Sequence, residues 1–179
     1  TGGTLNLNYD TGTGGTNTTK LANAAVLTLS GGTVNLQGGS HLELVGSTVL
    51  TASTTTVLNR PSGTSTLALG NITPGAGSLL SIQGNDFAST TTPNSGSILG
   101  GWATVTIAGV TDWAVNSGVS DGGTGSYIRQ FAAAYTDITR LGPSTIPDNA
   151  ALDVRIVNGG TSGSIDLAST ATEIATLKM

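Results

Sequence analysis

The chain has 179 residues, of which 9% are charged and 37% are hydrophobic, and its formal net charge is −4. Only six residues are Lys or Arg, so a basic patch for phosphates is excluded and nucleic acid is not an expected partner. Cysteine is absent, which excludes disulfides and thiolate sites, and no stretch approaches the roughly 20 apolar residues of a membrane-spanning helix.

The recurring element of the chain is a triplet in which two aliphatic residues flank one polar or small residue. Side chains alternate between the two faces of a strand, so each triplet predicts a short strand with its outer members inside and its middle member in solvent. The triplets are Leu5–Leu7, Leu27–Leu29, Val34–Leu36, Leu42–Leu44, Leu67–Leu69, Leu80–Ile82, Val105–Ile107, Val154–Ile156 and Ile165–Leu167. This pattern predicts an all-β protein and places Glu43, Arg155 and Asp166 on the solvent side.

Asp10, Thr11 and Gly12 form the tripeptide that aspartic proteases place at their catalytic dyad. The chain has no second copy, and an aspartate followed by glycines more simply forms a turn. Gly14 and Gly15 lack the following Lys-Ser or Lys-Thr of a phosphate-binding loop. We therefore expect a turn in this segment, and neither a protease nor a nucleotide site.

Between residues 25 and 60 the apolar bursts begin every seven or eight residues, at Leu27, Val34, Leu42, Val49 and Val57. Three such strands make a coil of about 22 residues, a period typical of stacked solenoid coils. Strand–turn–strand units this short are also compatible with β-hairpins. The spacing favours a β-solenoid over a compact sandwich.

His41 is the only histidine of the chain, and Glu43 lies two residues further on the same face of the predicted strand. An acid–base pair is therefore conceivable. Because the triplet pattern places that face in solvent, we interpret the pair as a surface feature. The usual zinc sites are excluded, because they need a second histidine or a cysteine.

The spacing loosens after residue 70, with loops rich in Ser, Thr, Asn, Gly and Pro at residues 74–77 and 86–96. Residues 100–115 then predict a hairpin-like pair of strands that carries Trp102 and Trp113 and could cap or brace the core. In a chain so poor in aromatics, these side chains are typical of core packing, with stacking on a sugar ring as the alternative.

The sequence Asp121-Gly-Gly-Thr-Gly125 offers one carboxylate, whereas calcium takes about six to eight oxygens, so we expect a glycine turn. The stretch from Tyr127 to Ile138 departs from strand chemistry. We expect an irregular insertion near residues 127–139 that could form a short helix. The triplets return from Ala151 onward.

A polysaccharide-degrading β-helix enzyme is the catalytic alternative, since it would share the predicted fold. Its chemistry needs clustered acidic metal ligands beside a basic residue that abstracts a proton. The candidates are scattered and follow no coil period: Arg60, Arg129, Arg140, Arg155, Asp86, Asp112, Asp121 and Asp137. Because a fold alone implies no activity, we expect no catalytic residue, no metal site and no cofactor.

Residues 25–36, 67–77, 98–105 and 111–115 carry a resemblance to a known family, most specifically through the Gly-Trp-Ala-Thr-Val and Thr-Asp-Trp-Ala motifs. Together they resemble the autotransporter-associated β-strand repeat proteins, which are long secreted or surface proteins of bacteria. The resemblance implies a right-handed parallel β-helix, an extracellular or cell-surface location, and no catalytic residue that could be transferred.

A single solenoid coil buries too little apolar surface to fold alone, so coils must stack, and each uncapped end exposes a pairing edge. We therefore expect residues 1–179 to be one solenoid segment of a longer repetitive chain. Its expected role is a structural rod or fibre segment that continues into neighbouring repeats or associates end to end with other copies. The alternative is an adhesin or glycan-binding module that uses Trp102, Trp113 and residues 86–96.

Overall fold

The computed structural model describes residues 2–123, 125–132, 134–139, 144–157, 165–167 and 171–178. These residues form strands and turns, with one 3₁₀ turn at Thr11–Thr13 and no α-helix among them. The chain divides into two compact units, unit 1 (Thr1–Phe131) and unit 2 (Ala132–Met179). The expectation of one continuous solenoid segment over residues 1–179 stays a prediction.

Unit 1 is built from short strands that contain most of the predicted triplets. Leu, Val, Ile and Thr fill these strands, as expected for residues that suit a pleated surface. The strands are β1 (Thr4–Asn8), β2 (Val26–Leu29), β3 (Gly32–Gln37), β4 (Leu42–Leu44), β5 (Ser47–Leu50), β6 (Thr55–Ser62), β7 (Thr66–Ala68), β8 (Asn71–Pro74), β9 (Leu79–Gln83), β10 (Ala88–Thr90), β11 (Ala103–Ile107), β12 (Val110–Ser120) and β13 (Ser126–Gln130).

The strands of unit 1 stack in parallel on three faces of a coil. Face 1 carries β1, β3, β6, β9 and β11, face 2 carries β4, β7 and β10, and face 3 carries β2, β5 and β8. Thr33 pairs with Val57 and Thr55 pairs with Leu79, both 24 positions apart. The predicted β-solenoid is therefore confirmed, with a coil close to the predicted length. Its right-handed sense stays a prediction.

Aliphatic side chains from the three faces form the core of unit 1. On face 1 the register stacks Val34, Leu58, Ile82 and Val105 above one another, and all four are buried. Burying one such side chain stabilises the fold by about 1.5–3 kcal/mol, so successive coils support each other through these stacks.

The last strands of unit 1 leave the parallel pattern. β11 and β12 form an antiparallel hairpin, whose two turn residues, Ala108 and Gly109, have positive φ angles of 49° and 80°. Positive φ at both positions is what a two-residue type I′ turn requires. β12 also pairs antiparallel with β13, and β13 pairs antiparallel with β10 of face 2. The predicted hairpin is confirmed. Through β12 and β13, the sheet of face 1 is hydrogen-bonded to that of face 2 at this end of the coil.

Unit 2 contains β14 (Thr136–Thr139), β15 (Ser144–Ile146), β16 (Asn149–Val157), β17 (Ile165–Leu167) and β18 (Ile174–Lys178). β14, β16 and β18 form a parallel sheet, and β15 pairs in parallel with β17. Arg155 donates from Nε and Nη2 to the two carboxylate oxygens of Asp137, at 2.8 Å each, and so links β16 to β14.

Two predictions about local structure are wrong. The short helix near residues 127–139 is not formed in the described part of that range, which contains Ser126–Gln130 in β13 and Thr136–Thr139 in β14. Pairing with β10 and β12 decides the conformation of β13, because strand preference depends strongly on context. The triplet rule also fails at β4, where Glu43 is fully buried and Leu42 and Leu44 are half-buried.

Candidate functional sites

Glu43 on β4 is the centre of a buried polar cluster at the first-coil end of unit 1, which is the end where β1 and β2 are the edge strands of faces 1 and 3. Its carboxylate accepts hydrogen bonds from the Tyr9 hydroxyl at 2.6 Å and from the backbone N–H groups of Lys20 at 2.8 Å and Leu21 at 2.9 Å. The Nε2 atom of His41 lies 3.9 Å from Oε2. A buried carboxylate needs such partners, because an unpaired one would carry the full cost of desolvation.

Tyr9, which follows β1, packs against the other side of the cluster from β4 and is 1% exposed. Its ring stacks on His41 with 5.2 Å between centroids, and Lys20 Nζ lies 5.5 Å from the ring centroid. Burial, together with the hydrogen bond to Glu43 and the charge of Glu43, raises the pKa of the Tyr9 phenol far above its ordinary value. Tyr9 therefore keeps its proton and acts as a donor to Glu43.

The interpretation of His41 and Glu43 as a pair on the solvent side is therefore wrong for Glu43. The contacts around it hold residues 16–21, here named the edge cover, along β4, which is the last strand of its sheet. Thr19 Oγ1 lies 3.4 Å from His41 Nε2, and Asn17 Oδ1 accepts a hydrogen bond from the Ser40 N–H at 3.2 Å. The cluster thus ties a segment without strand structure to a sheet edge.

Two of the acidic motifs form turns, as predicted. Asp10 caps the 3₁₀ turn, because its Oδ1 accepts the N–H of Gly12 at 2.9 Å. Asp121 accepts the N–H of Gly123 at 2.8 Å and the hydroxyl of the buried Ser89. Within the part of the chain that the structure describes, no three acidic or histidine residues are grouped so that they could hold a metal ion.

The two tryptophans lie in different environments. Trp102 is half-buried and packs against the hydrophobic core. Trp113 on β12 pairs with Thr104, and Thr104 lies between the fully buried Ala103 and Val105. By strand alternation, Trp113 is on the outer side of the sheet, and its indole N–H is buried with no hydrogen-bond partner among the described residues. Core packing fits Trp102, whereas Trp113 remains the candidate aromatic for a ligand.

The arginines that the structure describes do not surround a group of acids. Arg129 Nε lies 2.6 Å from Oδ1 of Asp86, and the Arg60 guanidinium lies 5.3 Å from the ring centroid of Phe87. In unit 2, the hydrogen bond from Arg155 holds the pKa of Asp137 below its ordinary value. Arg140 lies outside the described residues. The described contacts place Arg129 and Arg155 each beside one carboxylate, whereas Arg60 donates to the backbone carbonyls of Ser65 and Asp86.

The outer side of face 1 carries a ladder of amide side chains. Asn35 Nδ2 donates to Asn6 Oδ1 at 2.8 Å, and Asn59 Nδ2 donates to Asn35 Oδ1 at 3.3 Å. Gln83 follows Asn59 in the strand register. In a parallel stack, equivalent residues of adjacent coils lie about 4.8 Å apart, so equal charges there would repel each other. An amide ladder avoids that repulsion and remains hydrophilic.

The first coil leaves faces 1 and 3 open in the described part of unit 1, where β1 and β2 are edge strands. The N–H of Thr33 donates to Gly3, so by alternation Thr4 and Asn6 direct their backbone groups away from β3. A cavity of about 390 Å³ opens between the two strands, lined by residues that include Leu5, Leu27, Leu29 and Val34. Within the described residues, no strand covers the solenoid core at this cavity.

The chain matches no family model, no curated protein and no solved structure. Its coil of stacked parallel strands defines it as a β-solenoid protein, and its resemblance to the autotransporter-associated repeats stays a prediction. Among the described residues, no helix is long and apolar enough to span a membrane.

Proposed function

We propose that this chain is a structural, non-catalytic β-solenoid segment of an extracellular or cell-surface protein, and that its first coil stacks on a further solenoid coil, either of the same polypeptide or of a second copy. The observation that carries the proposal is the difference between the two ends of unit 1. Antiparallel strands close one end, whereas β1 and β2 leave unpaired backbone groups and an apolar cavity at the other. Unpaired strand edges are ready sites for the addition of a further strand.

The side chains at the open end favour a partner of the same kind. Leu5 and Val26 are 42% and 59% exposed there, and the residues that line the cavity carry no charge. Two such ends therefore do not repel each other and can bury aliphatic surface in common. The uncharged amide ladder of face 1 supports a structural role as well, because it tolerates close repetition along a stack.

The test is the association state of the chain, measured by sedimentation equilibrium over a range of concentrations. Val26→Lys places a charge on the open edge, and Val110→Lys is its matched control at the hairpin tip, since the two valines are 59% and 58% exposed. We expect the wild type and Val110→Lys to associate and Val26→Lys to remain monomeric. A monomeric wild type would contradict stacking on a second copy, and equal association of both variants would contradict stacking through the first coil.

Glycan binding is the second candidate, and the position of Trp113 on the outer side of the sheet favours it. A half-buried indole on the outer side of a sheet can stack on an uncharged sugar ring. The test is binding to a glycan array by the wild type and by Trp113→Ala, with circular dichroism to confirm that the variant is folded. Binding that is lost in the variant supports this candidate, and a wild type that binds no glycan rejects it.

A further inference from the structure

The first coil is built differently from the later coils on face 2. In the later coils, backbone groups join one coil to the next, as where the N–H of Leu67 donates to the carbonyl of Phe87 at 2.8 Å. On the outer side of β4, the edge cover takes the place of a strand. The N–H groups of Lys20 and Leu21 donate to the side chain of Glu43 and not to the backbone of β4. One carboxylate therefore replaces part of a strand ladder.

The edge cover has little apolar attachment of its own. Thr16, Asn17, Thr18, Thr19 and Lys20 are exposed, and only Leu21 is partly buried against the core. The ammonium of Lys20 is bonded inside the cover, to the carbonyl of Thr16 at 2.8 Å, and does not pair with the carboxylate. A segment with so few buried contacts depends on its polar contacts to stay in place.

We propose that Glu43 is a latch that holds the edge cover over β4 and thereby keeps the β4 edge of face 2 from pairing with another strand. The kind of partner that is blocked rests on the proposed function, whereas the latch does not. With the latch closed, β1 and β2 are the two strand edges at this end of the described part of unit 1 that a further strand can reach. With the latch released, faces 1, 2 and 3 would all be open at the same end.

The bonding of Glu43 shows how the latch can be broken with little change in shape. Oε1 accepts the N–H of Leu21 and Oε2 accepts the N–H of Lys20, so both oxygens are needed as acceptors. Glutamine has one side-chain oxygen, and its amide nitrogen would face one of these N–H donors. The Tyr9 hydroxyl and a neutral His41 ring can accept a hydrogen bond from the glutamine amide nitrogen, but the backbone N–H that faces this nitrogen still loses its acceptor.

The experiment is hydrogen exchange at the Lys20 and Leu21 amides of the full chain, for the wild type, Glu43→Gln and Glu173→Gln. Glu173 is the only other glutamate and is exposed, so its variant controls for the chemical change. We expect both amides to exchange about tenfold faster or more in Glu43→Gln and at the wild-type rate in the control. Unchanged exchange in a folded Glu43→Gln would overturn the latch.

A second variant keeps the test decisive if Glu43→Gln does not fold. Glu43→Asp retains the charge but shortens the side chain by one methylene, so it should also speed exchange at Lys20 and Leu21, and wild-type rates would overturn the latch. Sedimentation equilibrium on the same variants separates the two claims. Faster exchange with tighter association supports the blocked edge, and faster exchange with unchanged association rejects it. A monomeric wild type would instead count against the proposed function alone.

Discussion

The two ends of unit 1 close the same three-faced coil by different means. At the hairpin end, β12 and β13 complete faces 1 and 2 with backbone hydrogen bonds, and Thr91 and Thr92 bond to face 3 at Gly70 and Ile72. At the first-coil end, only face 2 is covered, and the cover depends on the side chain of Glu43. The backbone-paired strands at the hairpin end bury apolar residues. The segment held by the Glu43 side chain at the first-coil end leaves the core open beside it.

This contrast leads to the largest expected effect, on the stability of the two ends. Ile128 of β13, at the hairpin end, is fully buried, whereas Leu5 of β1, at the first-coil end, is 42% exposed. Ile128→Ala should lower the free energy of unfolding by about 3 kcal/mol, because it leaves a cavity in packed surroundings. Leu5→Ala should cost less than about 1 kcal/mol, because little apolar surface is lost from the interior. Urea denaturation measures both, and equal costs would mean that the two ends are packed alike.

The next largest expected effect on the free energy of unfolding is at Tyr9. It tests how much the buried hydrogen bond to Glu43 stabilises the first-coil end. Tyr9→Phe removes the hydroxyl that donates to the buried carboxylate, so it should cost about 1.5 kcal/mol at neutral pH. The pKa of this phenol is raised in the folded chain, so its contribution is complete below the ordinary value of 10.0 and is lost as the pH rises above it. The difference between wild type and variant should therefore shrink in alkaline solution.

The measurement for Tyr9 is urea denaturation at neutral pH and again above about pH 10, where an ordinary phenol ionises. The difference in phenolate absorbance between the wild type and Tyr9→Phe shows separately whether Tyr9 titrates in the folded chain. A difference in stability that stays constant across this range would mean that Tyr9 ionises equally well in the folded and unfolded chain.

The contrast between the ends also marks what the sequence allows one to predict. The strands, the coil period and the Trp102–Trp113 hairpin follow from local alternation and turn residues, which one stretch of sequence contains in full. The burial of Glu43 does not follow from local alternation, because Leu42-Glu43-Leu44 has the same pattern as the triplets whose middle residue faces solvent. Its burial depends on Tyr9, 34 positions away, and on a segment that is not a strand.

The conformation of residues 126–130 was also beyond local reasoning. The sequence around Tyr127 and Arg129 has no strand alternation that stands out, and its structure is decided by pairing with β10 and β12. Arg129 then meets Asp86, 43 positions away. In both regions the missing information is a contact between distant parts of the chain, which no pattern within a single coil carries.

The smallest effect concerns the turn that starts the backbone closure. Ala108 has a φ of 49° at the first turn position, before Gly109, and such a conformation disfavours a residue with a Cβ. Asn tolerates it, and Asn-Gly is the preferred pair for a type I′ turn. Ala108→Asn should therefore stabilise unit 1 by about 0.5 kcal/mol in urea denaturation. Ala52→Asn is the matched control, an exposed alanine in a turn where φ is not positive, and it should bring no gain. An equal change at both positions would attribute the effect to asparagine itself, and the hairpin would then close the coil without strain at Ala108.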